Sequence, residues 1–356
     1  MSWWVCKLAV PKVPSTTRHA RSRAPSGQVL MRPPHLFIFG LGYVGLRAGI
    51  ACERELGWRV SGCCRSAEKA EAISAAHAIE AHTFDLDENY AGLDARGLAA
   101  LADATHVLAT TPPVADFDRD PLLALHTPEL LRSSRLHWAG YLSTTSVYGD
   151  HDGEWVDEES ETLATAGSSG YKRLAAENEW LQLEASSDGR MKPHVFRLAG
   201  IYGPGRSALD TVKRAAATRG EEVVAAAPSP APPEAPAASP SSSRPRYVSR
   251  VHVDDICSAL LASMQQEEPP PKQQRVYNIA DDEPTPRGEV MAFAASLLDA
   301  PRAAAADADA AVGGGGRARR RATENKRVSN KRMRTLLPEL AYPTYREGLR
   351  QIAQDS

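Results

Sequence analysis

In residues 35–49, HLFIFGLGYVGLRAG, a short apolar run ends on Gly40, Gly42 and Gly45, spaced GxGxxG, and a helical pattern follows at once. That order predicts a strand, a tight turn and a helix. Gly40 makes the turn out of the strand, Gly42 lets a backbone without Cβ approach a diphosphate, and Gly45 lets the helix pack close to the sheet. The N–H groups of the first helical turn, at Tyr43, Val44 and Gly45, then face the phosphates, aided by the helix dipole. Context supports a dinucleotide cradle. The spacing predicts a helix over 43–56, with Val44, Ala48 and Ala51 on one face, and a strand-like run over 58–64 arrives where such a unit needs one. The alternative is a glycine-rich turn with an empty crevice.

From residue 35 onward short apolar runs alternate with helical stretches. Strands are expected over 35–39, 58–64, 80–84, 105–109, 138–143 and 194–198, with helices over 67–77, 94–101, 120–131 and 170–184. This alternation specifies an α/β fold, a doubly wound parallel sheet of Rossmann type covered on both faces. Further on, 247–253 reads as a strand, Asp254 or Asp255 as the N-cap of a helix over 256–265, 276–279 as a strand, and 285–298 as a helix with Pro286 in its first turn. These late elements are expected to form a small substrate lobe over the strand ends. The organisation is then a presequence at 1–34, a cofactor-binding domain at 35–206, and further sheet elements with the lobe at 207–356.

Size and charge narrow the function classes. A chain of 356 residues with 42% hydrophobic side chains can bury a sizeable core. Its net charge of −2 argues against a phosphate-backbone binder, and its longest apolar run is too short to span a bilayer. A small-molecule substrate is expected as partner, with neither nucleic acid nor membrane, and the oligomeric state stays open. The cysteines, at 6, 52, 63, 64 and 257, are odd in number and form no CxxC pair, which fits a reducing compartment; Cys63 and Cys64 read as buried strand residues.

Residues 1–34 carry six Lys or Arg, and no Asp or Glu occurs before Glu53. This is the composition of an organellar presequence, plastid or mitochondrial, or else of a basic tail on a cytoplasmic protein. Two stretches, 225–245 of Ala, Pro and Ser and 302–322 running through glycines into arginines, read as disordered insertions, because neither buries enough apolar surface to offset its ordering entropy. The arginines at 317–321 read as a solvated linker rather than a nucleic-acid arm.

The motifs taken together resemble the short-chain dehydrogenase/reductase superfamily, in its epimerase/dehydratase-like branch. The carriers are GLGYVG at 40–45, STTSVYG at 143–149, RLAGIYGPGR at 197–206, HVDDI at 252–256, YNIADDEP at 277–284, KRVSNKRM at 326–333 and YPTYREGL at 342–349. The resemblance covers most of 35–354. It implies that Thr144, at the end of the fifth strand, hydrogen-bonds the reacting oxygen of a substrate; otherwise Thr144 satisfies backbone groups at a strand end. It also implies a Tyr and a Lys one helical turn apart, and here the pattern breaks. Aligning RLAAE at 173–177 on the usual KxAAE places Ser169 at the tyrosine position and Arg173 at the lysine position. Arginine still binds ribose or phosphate but releases no proton. Tyr171 lies about 200° around a regular helix from Ser169, so it reaches the crevice only if the first turn is distorted, and is otherwise a surface or packing residue. Gly200 stands where many sugar-nucleotide enzymes of the branch carry an Asn.

The resemblance further implies that Asp85 meets the adenine amine, that Thr110, Thr111 and Pro112 lie along the cofactor, and that Leu198 borders the nicotinamide amide. Arg206 is placed to meet an anionic substrate group. At the end of the second strand, where a carboxylate would bind the ribose of NAD, stand Cys64, Arg65 and Ser66, a set that favours NADP over NAD. Two functional readings follow. One is an NAD(P)-dependent reductase, epimerase or dehydratase acting on a small carbonyl or hydroxyl substrate, with a nucleotide sugar among the options; Thr144 would position the oxygen, Arg173 would hold the cofactor, and Tyr171, a substrate group or a water would carry the proton. The other is a regulatory protein that binds NADP(H) without turnover.

Overall fold

A computed structural model describes residues 32–84, 92–114, 119–220, 245–300, 306 and 324–355. Asp85 lies outside the described residues, as do nearly all of the presequence expected over 1–34 and of the insertions expected over 225–245 and 302–322.

The first half alternates strand and helix: β1 (His35–Phe39), α1 (Tyr43–Leu56), β2 (Arg59–Cys64), α2 (Ala67–Ala76), β3 (Ile79–Thr83), α3 (Ala95–Asp103), β4 (His106–Ala109), α4 (Pro121–Arg132) and β5 (Trp138–Thr144). A 3-10 turn, Thr145–Tyr148, and the two-residue β6 (Trp155–Val156) lead to α5 (Ser169–Ser186), β7 (Lys192–Leu198), β8 (Gly200–Tyr202) and α6 (Ala208–Thr218). Then come β9 (Tyr247–Val248), β10 (Arg250–His252), α7 (Val253–Met264), β11 (Val276–Ile279), β12 (Thr285–Pro286) and α8 (Arg287–Leu297). The chain ends through β13 (Arg327–Val328), α9 (Met333–Leu336) and α10 (Tyr345–Gln354).

Seven strands form one parallel sheet in the order β3-β2-β1-β4-β5-β7-β11. β1 lies next to the central strand, β4. Leu36 and Ile38 join the core under α1 and α7, while Phe37 and Phe39 join the one under α3, α4 and α5, as a strand buried on both faces requires. The chain leaves β1 toward β2 on one side and returns to β4 on the other, so a crevice opens at the carboxyl ends of these strands.

The late elements divide between sheet and lobe. β11 is the edge strand of the main sheet and α7 packs on α1, whereas α6, α8 and α10 bury Leu209, Val212, Phe293 and Leu349 in a separate cluster. The expected strand over 247–253 is two short pieces: β9 pairs antiparallel with β12 and β10 pairs parallel with β8. Because Thr285 and Pro286 belong to β12, the following helix starts at Arg287 and not at 285. Neither Asp254 nor Asp255 caps α7. The His252 ring accepts the N–H of Asp254, and the Asp255 carboxylate is occupied by the N–H groups of Ala341 and Tyr342 at 2.8 and 3.1 Å.

One buried network ties the strand ends together. Arg197 on β7 grips Glu177 on α5 through Nη2 at 2.8 Å, and Glu177 also accepts the Ser143 hydroxyl. Arg197 reaches the Tyr148 hydroxyl at 2.9 Å, which donates to Asn278 on β11 at 2.7 Å. A buried charge of this kind persists only when paired and hydrogen-bonded, so the network fixes β5, α5, β7 and β11 relative to one another.

Candidate active site

The glycine turn has the shape that a diphosphate requires. Gly40 has φ of +100°, a conformation that L side chains rarely adopt, and a Cβ on Gly45 would lie 2.2 Å from the Gly40 carbonyl oxygen. A Cβ on Gly42 would meet nothing within 4 Å. The helix packs tightly, and space is left in front of it. Gly42 is the N-cap of α1 and offers no side-chain acceptor, which leaves first-turn N–H groups for an outside anion. Beside the turn, Thr110 donates its hydroxyl to the Gly40 carbonyl at 2.6 Å, and the buried Thr111 hydroxyl has no partner among the described residues. Pro112 follows at the surface. These features fit a bound dinucleotide.

At the end of β2, Arg65 is exposed, and the Ser66 hydroxyl is engaged as N-cap of α2, accepting from the Lys69 N–H at 3.3 Å. Residues 64–66 supply no carboxylate there.

A cleft of about 540 Å³ runs from this turn along the carboxyl ends of β5 and β7. Tyr43, Val44, Thr110, Thr144, Arg173 and Leu198 all line it. The Thr144 hydroxyl stands at its wall, accepting the Ser146 N–H at 3.2 Å and donating to the Ser146 hydroxyl at 3.3 Å. Arg173 turns its guanidinium back on β5, where it donates to the Leu142 carbonyl and lies over the Tyr141 ring at 5.7 Å. The Tyr43 phenol donates to the Pro204 carbonyl at 3.1 Å; burial raises its pKa, against the pull of Arg47 and Arg206.

Tyr171 does not reach this cleft. The first turn of α5 is regular, with Ser168 capping the Tyr171 N–H at 3.1 Å, and Tyr171 is 50% exposed. Ser169 is exposed as well, and Gly170 between them is buried, its Cβ position 2.3 Å from the Ser146 carbonyl oxygen. Gly200 is packed against Ser249, whose carbonyl accepts the Gly200 N–H at 3.0 Å, so its position adds no side chain to the cleft.

The cleft contains groups to which the sequence reading gave no role. Tyr247, Ser249, Glu324 and Lys326 complete its wall. Lys326 is 8% exposed and donates to the Gly149 carbonyl at 2.7 Å and to Glu324 at 2.8 Å. For Lys326 and Glu324 the one signal was a place in or next to the KRVSNKRM motif, because the contact to Gly149 joins residues far apart in sequence. The cleft continues, through Ile201, Arg206, Tyr247 and Glu324, into a pocket of about 1240 Å³ beneath the lobe. Arg206, Lys213, Arg214, Arg246, Arg250 and Arg287 line that pocket, with Asp210 and Glu324 as its carboxylates. Asp210 is engaged in the capping box of α6 and Glu324 with Lys326, so the pocket presents mainly positive charge.

A model of the NAD dependent epimerase/dehydratase family matches residues 98–280. The chain belongs to this family. Among solved structures it is similar to a functionally unknown conserved protein from Silicibacter pomeroyi DSS, at 33% identity over 91% of this chain and 99% of that one, with a TM-score of 0.66. It shares its fold with dTDP-glucose 4,6-dehydratase from Bacillus anthracis, solved with NAD, at 13% identity over 90% and 96% of the two chains and a TM-score of 0.60. It also shares it with a yeast methylglyoxal/isovaleraldehyde reductase solved with NADPH, at 14% identity over 90% and 97% and a TM-score of 0.55. No curated protein matches the chain. Family membership makes a nicotinamide dinucleotide the cofactor of this epimerase/dehydratase fold, in keeping with the glycine turn and the unpartnered Thr111 hydroxyl.

Proposed function

We propose that the chain is an NADP(H)-linked oxidoreductase or epimerase acting on a small anionic carbonyl or hydroxyl compound. The observation that carries this is the continuity of the glycine cradle, the Thr144 cleft and a pocket lined by six cationic side chains. A bound nicotinamide supplies the hydride chemistry. The protein's own part is to hold the diphosphate on the first turn of α1, to meet a 2′-phosphate with Arg65, and to orient the reacting oxygen with the Thr144 hydroxyl. The basic pocket supports a phosphate- or carboxylate-bearing substrate, and Gly200 gives no support to a sugar-nucleotide contact at that point.

The test is calorimetric titration with NADPH and NADH, followed by NADPH oxidation with aldehydes and ketones bearing phosphate or carboxylate groups and with their neutral counterparts. Binding of NADPH and a preference for the anionic compounds are expected. Thr144→Val should lower kcat at least 100-fold and leave NADPH affinity within about twofold, on the scale of one lost transition-state hydrogen bond. A valine variant with unchanged turnover removes Thr144 from the role. One observation favours a second reading, a nucleotide-binding protein without turnover: Ser169 faces solvent, and Arg173 stands in the cleft with its Nη1 donating to the Leu142 carbonyl, where no proton can be released. Tight NADPH binding with no oxidation across the whole panel would support that reading instead.

A further inference from the structure

The cleft has a wall, a cradle and a positioned hydroxyl, and the helix that carries the Tyr and Lys in related enzymes brings neither to it. Among the described residues that line it, the ionisable side chains other than arginine are Tyr43, Tyr247, Glu324 and Lys326. Tyr43 is committed to the Pro204 carbonyl beside the glycine turn. Tyr247 stands at the passage to the larger pocket with the Arg327 guanidinium 5.0 Å from its ring centre. Lys326 differs from both. Its ammonium is buried and, among the described residues, is held by two acceptors, the Gly149 carbonyl and the Glu324 carboxylate. An ammonium has three N–H donors, so among the described residues one N–H is left without an acceptor.

The geometry points to Lys326 as the proton-bearing group of this cleft, held in place by Glu324 and working beside Thr144. The inference rests on the functional reading above. In the reducing direction, an N–H bond of Lys326 breaks and an O–H bond forms at the substrate oxygen, which takes the electron pair of the C=O π bond as its carbon is reduced by NADPH. The neutral amine then regains a proton from water, and Glu324 stabilises the ammonium that re-forms. In the oxidising direction the amine accepts the hydroxyl proton. The Gly149 carbonyl follows the 3-10 turn that Thr144 caps, so the lysine and the threonine are anchored to the two ends of one short segment.

Two experiments test this on the full chain. The first needs no turnover. Pyridoxal 5′-phosphate, an aldehyde with a phosphate suited to the basic pocket, forms an imine with an accessible amine by loss of water, and borohydride fixes it as a secondary amine. Peptide mapping should place the label on Lys326 above all other lysines, including Lys213 in the larger pocket; label at Lys213 with none at Lys326 overturns the inference. The second compares Lys326→Met with Lys326→Arg, using the best carbonyl compound of the panel. Arginine keeps the charge but gives up no proton. Both variants should lose at least 100-fold in kcat while their thermal melts and NADPH affinity stay close to wild type. An arginine variant that keeps more than a tenth of kcat, or a Tyr247→Phe variant that abolishes turnover while Lys326→Arg does not, removes Lys326 from the role. The two proposals fail separately: absent NADPH binding in the wild type sinks the functional reading, whereas intact binding with an unlabelled Lys326 sinks this one.

Discussion

Arg65 illustrates how much a single side chain at a strand end decides. It follows β2 directly, exposed, with no carboxylate in 64–66 to bind a ribose diol. A hydrogen bond between charged partners contributes about 1.5–3 kcal/mol, so Arg65→Ala should weaken NADPH binding about 10-fold or more and leave NADH within about twofold. Calorimetric titration of both nucleotides checks this, and equal losses for the two would remove Arg65 from the 2′-phosphate. Thr144 and Arg173 were legible as cleft residues through the family resemblance, which put Thr144 at the end of β5 and Arg173 at the lysine position of α5. Tyr171 was not excluded by the sequence, since its exclusion depends on the regular first turn that Ser168 caps.

Within the β1–α1 unit the three glycines separate packing from binding. A methyl at Gly45 would sit against the Gly40 carbonyl, so Gly45→Ala should cost about 1–3 kcal/mol and lower Tm even without ligand. A methyl at Gly42 has room, and Gly42→Ala should cost under about 1 kcal/mol of stability yet weaken NADPH binding at least 10-fold, because it fills the space before the first turn. Thermal melts with and without NADPH distinguish the two. This unit was the part most readable in advance, its apolar residues repeating with the periods of strand and helix. Boundaries slipped where distant partners decide them: the start of α7 moved because Ala341 and Tyr342 occupy Asp255, and α8 was shortened by pairing of Thr285 and Pro286 with β9. The same physics hid Lys326, whose surroundings are a carbonyl at Gly149 and a cleft wall from three other segments.

The whole molecule carries a set of buried imidazoles on the strands of its sheet. Burial, the largest cause in each case, lowers the pKa of His106 and His194 to about 3 and that of His35 to about 4. His106 packs 4.6 Å from the His137 ring, and His194 stacks on Trp138 at 5.6 Å. These groups are neutral in the fold and ordinary, near 6.5, once unfolded. Their contribution is therefore fully present above about pH 6.5 and is lost as pH falls through 6.5 toward the folded values. One unit below 6.5, each such histidine removes about 1.4 kcal/mol relative to neutral pH. Urea unfolding at pH 7.5 and 5.5 should show that loss in the wild type and a smaller one in His194→Phe, which keeps the stacked ring; equal slopes would take His194 out of the acid response. The return of residues 324–328 across the cleft, where β13 pairs with β6, matters in another way. Along the chain β1 to β4 precede Lys326 by a long stretch, so a ribosome releases them first. Order of synthesis thus sets the glycine turn in place before the lysine that faces it across the cleft.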